Sequence, residues 1–101
     1  MTARLTAAAL ALAAAAAPAQ AQDAPPARGL AATCSSCHGT DGRSATKEVP
    51  SLAGLPKDYI VAQMKAFRDG ARPATIMHQL AKGYNDAQIE LLADYFSRRP
   101  Q

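Results

Sequence analysis

Apolar residues near the C-terminus recur with a helical period. Ile89, Leu92, Ala93 and Phe96 fall at i, i+3, i+4 and i+7, which places them on one face of a helix. Asn85 precedes the run as an N-cap, with Gln88 three residues on in the arrangement of a capping box. Arg98 and Arg99 sit where cations complement a helix C-terminus, and Pro100 ends the element. Upstream, Ile60, Met64 and Phe67 share a face between Pro56, at a position favoured in a first turn, and Gly70, at a C-cap position. A shorter helix is predicted for 74–81, between Pro73 and Gly83. Residues 27–37 are small and helix-compatible, with Leu30 the one large apolar side chain, and predict a first short helix. The segment from His38 to Leu55 carries turn chemistry, punctuated by Gly39, Gly42, Pro50 and Gly54. No stretch alternates long enough for a strand. The pattern predicts an all-α chain of four to five short helices without internal repeat.

The first 21 residues differ in kind. Leu5 to Ala17 is apolar except for Thr6, preceded by Arg4 and followed by Ala19-Gln20-Ala21. A basic start, a short apolar run and an A-x-A site describe a secretory signal peptide, with cleavage predicted after Ala21. The run falls short of the about 20 residues that a membrane span takes; the alternative is an uncleaved N-terminal anchor. Residues 22–26 then read as a flexible lead-in, and 27–101 as one domain.

Composition adds a constraint. The chain has 101 residues, 49% hydrophobic, 19% charged and 5% aromatic, with a formal net charge of +3. Much of the apolar share is alanine in the leader. Without the leader, the basic side chains are dispersed, Arg43, Lys47, Lys57, Lys65, Arg68, Arg72 and Lys82 among them. That spread lacks the basic stripe of a nucleic-acid binder. About 80 residues make a marginal core that usually takes a disulfide, a metal or a cofactor to hold it. Five aromatics and about a dozen larger aliphatics predict something non-peptidic in the interior.

Cys34-Ser35-Ser36-Cys37-His38 supplies the chemistry. C-x-x-C-H is the attachment pattern of c-type haem. Two thiols three positions apart on a helical turn can add to the two vinyl groups of one porphyrin. The next residue, His38, is then held beneath the iron as an axial ligand. Three other readings compete. A thioredoxin-type disulfide belongs in a βαβ setting that is absent here. A zinc site wants four ligands, nominally Cys34, Cys37, His38 and His78. A structural C-x-x-C disulfide closes too tight a loop to stabilise much.

C-S-S-C-H-G-T-D-G, V-P-S-L-A-G-L-P, A-x-x-M and I-E-L-L-A-D-Y-F together resemble the small class I c-type cytochromes of bacterial periplasms, from about Gly29 to Phe96. More narrowly, the stretch from Asp58 to Tyr84 is similar to the cytochrome subunits of flavocytochrome c sulfide dehydrogenases. The resemblance implies a class I cytochrome c fold, four to five short helices around one covalently bound haem c. It makes Met77, shortly before the last helix, the second axial ligand. Met64, on the apolar stripe, reads as a packing residue, and His78 as an exposed neighbour, since adjacent residues on a helix point about 100° apart. In the family the carbonyl of a P-x-L-x-G proline accepts from the ligand histidine; Pro50-Ser51-Leu52-Ala53-Gly54 matches, making Pro50 that acceptor and Leu52 part of the haem environment. By the same resemblance, Gly29 lets the first helix approach the last at Tyr95 or Phe96.

With both axial positions filled by protein, the implied function is single-electron transfer rather than catalysis. The closer resemblance implies a flavoprotein that oxidises sulfide as donor and a periplasmic location. A free shuttle between respiratory complexes is the alternative, and a haem-based sensor with a labile sixth ligand a third reading.

Overall fold

The computed structural model describes residues 26–101. The predicted signal peptide, its predicted cleavage after Ala21 and residues 22–25 lie outside the described residues. Five helices, α1 (Pro26–Ala32), α2 (Ser35–His38), α3 (Lys57–Arg68), α4 (Met77–Leu80) and α5 (Asp86–Ser97), are supplemented by 3-10 turns at Thr40–Gly42 and Ala81–Gly83. Among the described residues there is no strand, and no helix is long and apolar enough to cross a membrane.

The last helix is the hub. Its periodic residues Ile89, Leu92, Ala93 and Phe96 are all buried, and it packs against both α1 and α3. The predicted capping box is present: Gln88 N donates to Asn85 Oδ1 at 2.9 Å and Asn85 N to Gln88 Oε1 at 3.0 Å. Asn85→Ala removes one acceptor and should cost about 1 kcal/mol, read as a lower urea midpoint at unchanged m-value. The α3 stop is also as its sequence implies. Gly70, at φ 77, lets its own N–H reach Phe67 O at 3.3 Å and Ala71 N reach Ala66 O at 2.9 Å, a Schellman closure. Pro56 stands one step earlier than expected: it is the N-cap of α3, with extended ψ of 136, not a first-turn residue. Arg68 at the end of α3 reaches Asp86 at the start of α5 with a 2.6 Å contact. That hydrogen bond, aided by the positive charge of Lys65, holds the Asp86 carboxyl below its usual range.

Four expectations need correction. The predicted helix over 27–37 is two helices: the ladder breaks at Thr33–Cys34, where the Thr33 hydroxyl turns back to Leu30 O at 2.8 Å. Its first residue is Pro26, which the lead-in had claimed. The helix predicted for 74–81 starts only at Met77 and tightens into a 3-10 turn through Gly83, the residues after Pro73 remaining irregular. Gly29 is exposed, and a Cβ there would meet nothing within 4 Å. The buried residues of α1 are instead Ala27 and Ala31, one turn apart, and Ala31 joins the core cluster with Leu92, Ala93 and Phe96 of α5.

Candidate functional site

The join between α1 and α2 delivers two thiols and an imidazole to one place. Cys34 keeps right-handed helical backbone (φ −76, ψ −23). Cys37 N and His38 N both return to Cys34 O, at 3.3 and 2.9 Å. The two cysteines therefore share one turn, with His38 directly after. Cys34 is half-buried and packs against the core, while Cys37 is exposed. Burial pushes the Cys34 thiol above its ordinary range; the Thr33 hydroxyl opposes this and Cys37 adds to it. The sulfurs are not joined in a disulfide. Among the described residues no three His, Cys, Asp or Glu side chains converge as metal ligands, so Cys34, Cys37, His38 and His78 do not assemble a tetrahedral zinc site.

His38 is 9% exposed, the one buried polar side chain among the described residues. Its Nδ1–H donates to the Pro50 carbonyl at 2.7 Å. That bond fixes the tautomer and leaves Nε2 with a lone pair for a metal. The loop carrying Pro50 is in turn tied to the turn after α2. Gly42 O accepts from Leu52 N at 2.7 Å and Ala53 N at 3.1 Å, and Ser44 N donates to Ser51 Oγ at 2.9 Å.

Gly42 has a residue-specific role there. At φ 79, a Cβ would stand 2.8 Å from Phe96 Cδ1 and 3.0 Å from Ala53 N, so only glycine lets the turn lie flat on α5. Beside it, the Tyr95 hydroxyl donates to Asp41 Oδ1 at 3.0 Å. Burial, and then that bond to a carboxylate, hold the Tyr95 phenol above its ordinary range. Neither contact has a local signature in the sequence. The adjacent Asp-Gly pair and the Tyr-Phe pair near the end of α5 were visible, but nothing in their spacing links residues so far apart.

Met77 opens α4 and is half-buried. Ile76 and Leu80, one residue before it and three after, are 56% and 47% exposed. Met64 packs against the core from α3, as its place on the apolar stripe predicts. His78 departs from expectation. It is half-buried, and its Nδ1 is enclosed without a hydrogen-bond partner, on a helix that packs against α3. The dispersed cations are partly engaged: Lys57 pairs with Glu90 at 3.3 Å, Arg43 with Asp41 at 3.8 Å, and Arg72 stacks on Phe67.

These residues fit a covalently held porphyrin. The donors on the C-x-x-C-H turn are two thiols and an imidazole with one nitrogen already anchored. The surroundings are apolar but incompletely covered. Of the nine buried apolar residues among the described residues, five are alanines, and Leu30, Leu52, Leu55, Val61, Met64 and Tyr84 pack against that core only half-buried. A flat apolar macrocycle would remove such surface from water.

Comparison with known proteins agrees. The family model for cytochrome c matches residues 25–98. The cytochrome subunit of sulfide dehydrogenase from Chlorobaculum tepidum is 42% identical over 67 residues, covering 66% of this chain and 60% of that protein. A thiosulfate dehydrogenase electron acceptor from Thiomonas intermedia is 42% identical over 76 residues, covering 74% of this chain and 34% of its own. Cytochrome c-554(548) of Halomonas halodenitrificans is 38% identical over 80 residues, covering 76% of this chain and 96% of its own. Among solved structures, a cytochrome c4 of Acidithiobacillus ferrooxidans is similar at a TM-score of 0.61 and 41% identity, covering 63% of this chain and 37% of its own. The chain thus spans 60% or less of two of these three relatives. The family match nonetheless runs through every helix from α1 to α5 and includes the C-x-x-C-H turn. On that ground this chain belongs to the cytochrome c family and is an electron-transfer protein carrying covalently bound haem c.

Proposed function

We propose that the chain is a periplasmic monohaem carrier in which Cys34 and Cys37 hold the haem through thioethers, and His38 and Met77 supply the axial ligands. One observation supports this most: the 2.7 Å bond from His38 Nδ1 to Pro50 O, directly after the C-x-x-C turn. The haem supplies an iron centre that gains and loses one electron. The protein's part is to keep that change cheap in reorganisation. Pro50 fixes the His38 ring plane and makes Nε2 more basic. Met77 presents a thioether, which favours the reduced state. Leu52, packed on the core beside the proximal loop, excludes water.

For the donor, we propose a sulfide-oxidising flavoprotein, by similarity to the sulfide dehydrogenase subunit. The equal identity to a thiosulfate dehydrogenase electron acceptor makes a thiosulfate-oxidising enzyme the second reading.

The test is spectroscopic, then biochemical. Protein expressed with the haem-maturation machinery should give a pyridine haemochrome of c-type haem and a methionine–iron charge-transfer band when oxidised. Colourless, folded protein would refute the haem assignment; a missing band together with rapid cyanide binding would refute Met77 ligation and favour the sensor reading. Native protein should co-purify with a flavin-containing partner, and purification with a flavin-free thiosulfate dehydrogenase would move the assignment to the second donor.

A further inference from the structure

We infer that Tyr95 is a positioning residue for the proximal ligand: its hydrogen bond to Asp41 sets the turn that holds the Pro50 carbonyl against His38, and through it the electron affinity of the site. The inference rests on the reading of His38 as an axial ligand.

The path is short and made of directional contacts. Pro50 has no N–H, so nothing at its own nitrogen fixes its carbonyl. The following residues do so, through Ser44 N to Ser51 Oγ at 2.9 Å and Leu52 N to Gly42 O at 2.7 Å. Both tethers originate in the segment that follows Asp41. Asp41 is the one non-glycine residue described with positive φ, at 54, a left-handed region that most L side chains avoid and that Asp enters more readily, its side chain bonded locally. Two groups hold it. Arg43 makes an exposed 3.8 Å pair, 46% and 42% accessible at the two side chains, of the kind that contributes little. Tyr95 makes a part-buried bond at 3.0 Å, and its raised phenol range keeps it a donor. Phe96, next on the helix, limits how deep the turn can sink, since its ring occupies the space a Gly42 side chain would need. An apolar wall sets depth but not rotation. Tyr95 sets rotation.

The chemistry gives the sign. A close acceptor at Nδ1–H makes Nε2 more basic, which favours the oxidised iron. Loosening Pro50 from His38 therefore raises the potential.

Tyr95→Phe in the haem-loaded protein is the test, because it changes no charge and keeps the ring that meets Phe96 edge-on at 5.3 Å. The equilibrium constant for reduction should rise about threefold, about 28 mV at about 59 mV per decade. Solvent exchange of the hyperfine-shifted His38 Nδ1–H should quicken, with the charge-transfer band unchanged. Asp41→Asn retains an acceptor and tolerates left-handed backbone, so its exchange rate should match the wild type. Unchanged potential and exchange in Tyr95→Phe, with only a lower melting temperature, would overturn the inference. So would Asp41→Asn exchanging as fast as Tyr95→Phe, since charge would then be the cause. The wild-type spectrum separates the two levels: an Nδ1–H without hyperfine shift refutes His38 ligation itself, whatever Tyr95 does.

Discussion

Met77→Ala is expected to leave the haem covalently attached while opening its sixth position. The variant should lose the methionine–iron charge-transfer band and bind carbon monoxide or cyanide rapidly. Its potential should fall by on the order of 0.1 V, set against the roughly 0.8 V that axial ligands span. The sign follows from the thioether's preference for reduced iron. The fold should survive: Met77 begins a helix of four residues and is half-buried, whereas the core runs through Ile60, Leu92, Ala93 and Phe96. Spectroelectrochemical titration checks all three expectations at once. An unchanged band would transfer ligation to Met64, whose place on the core face of α3 argues against it; a wild type without the band that also resists cyanide would point to His78.

Phe96→Ala should produce the largest loss of stability, about 3–5 kcal/mol, measured by urea unfolding of haem-loaded protein. The side chain is 2% exposed and among the largest fully buried ones. Its ring carries the flat turn at Gly42 and meets Tyr95 edge-on. Against a total of about 5–15 kcal/mol for a native domain, the variant would sit near the unfolding threshold. Its backbone bond from Gly54 N, 2.9 Å, survives the substitution but spans an emptied cavity. A loss below about 1 kcal/mol would mean that the haem, not Phe96, fills this part of the interior.

The helices were legible from sequence wherever local chemistry decided them. Asn85 with Gln88 starts α5, and Gly70 stops α3; both signals act within a few residues. The C-x-x-C-H string was legible for the same reason, since covalent attachment imposes its own spacing. What failed depended on a partner distant in the chain. The resemblance makes Gly29 the contact point for α5, yet Ala31 joins the α5 core and Gly29 faces solvent. Periodicity fixes the spacing of a helix face, and in an alanine-rich helix it does not fix which face is inside. A histidine beside a ligand position reads as solvent-exposed, but His78 Nδ1 is enclosed, on a helix that packs against α3. The Tyr95–Asp41 bond joins residues 54 apart and has no signature in either local sequence.

The concentration of the core in α5 has a consequence for biogenesis. Translation runs from the N-terminus, so Cys34, Cys37 and His38 emerge well before Ile89, Leu92 and Phe96, the residues that close the interior. Until they arrive, α1 and α3 have no hub to dock on. In the order of synthesis the cysteine motif therefore precedes the helix that closes the interior, and it stays on an open polypeptide until that helix docks.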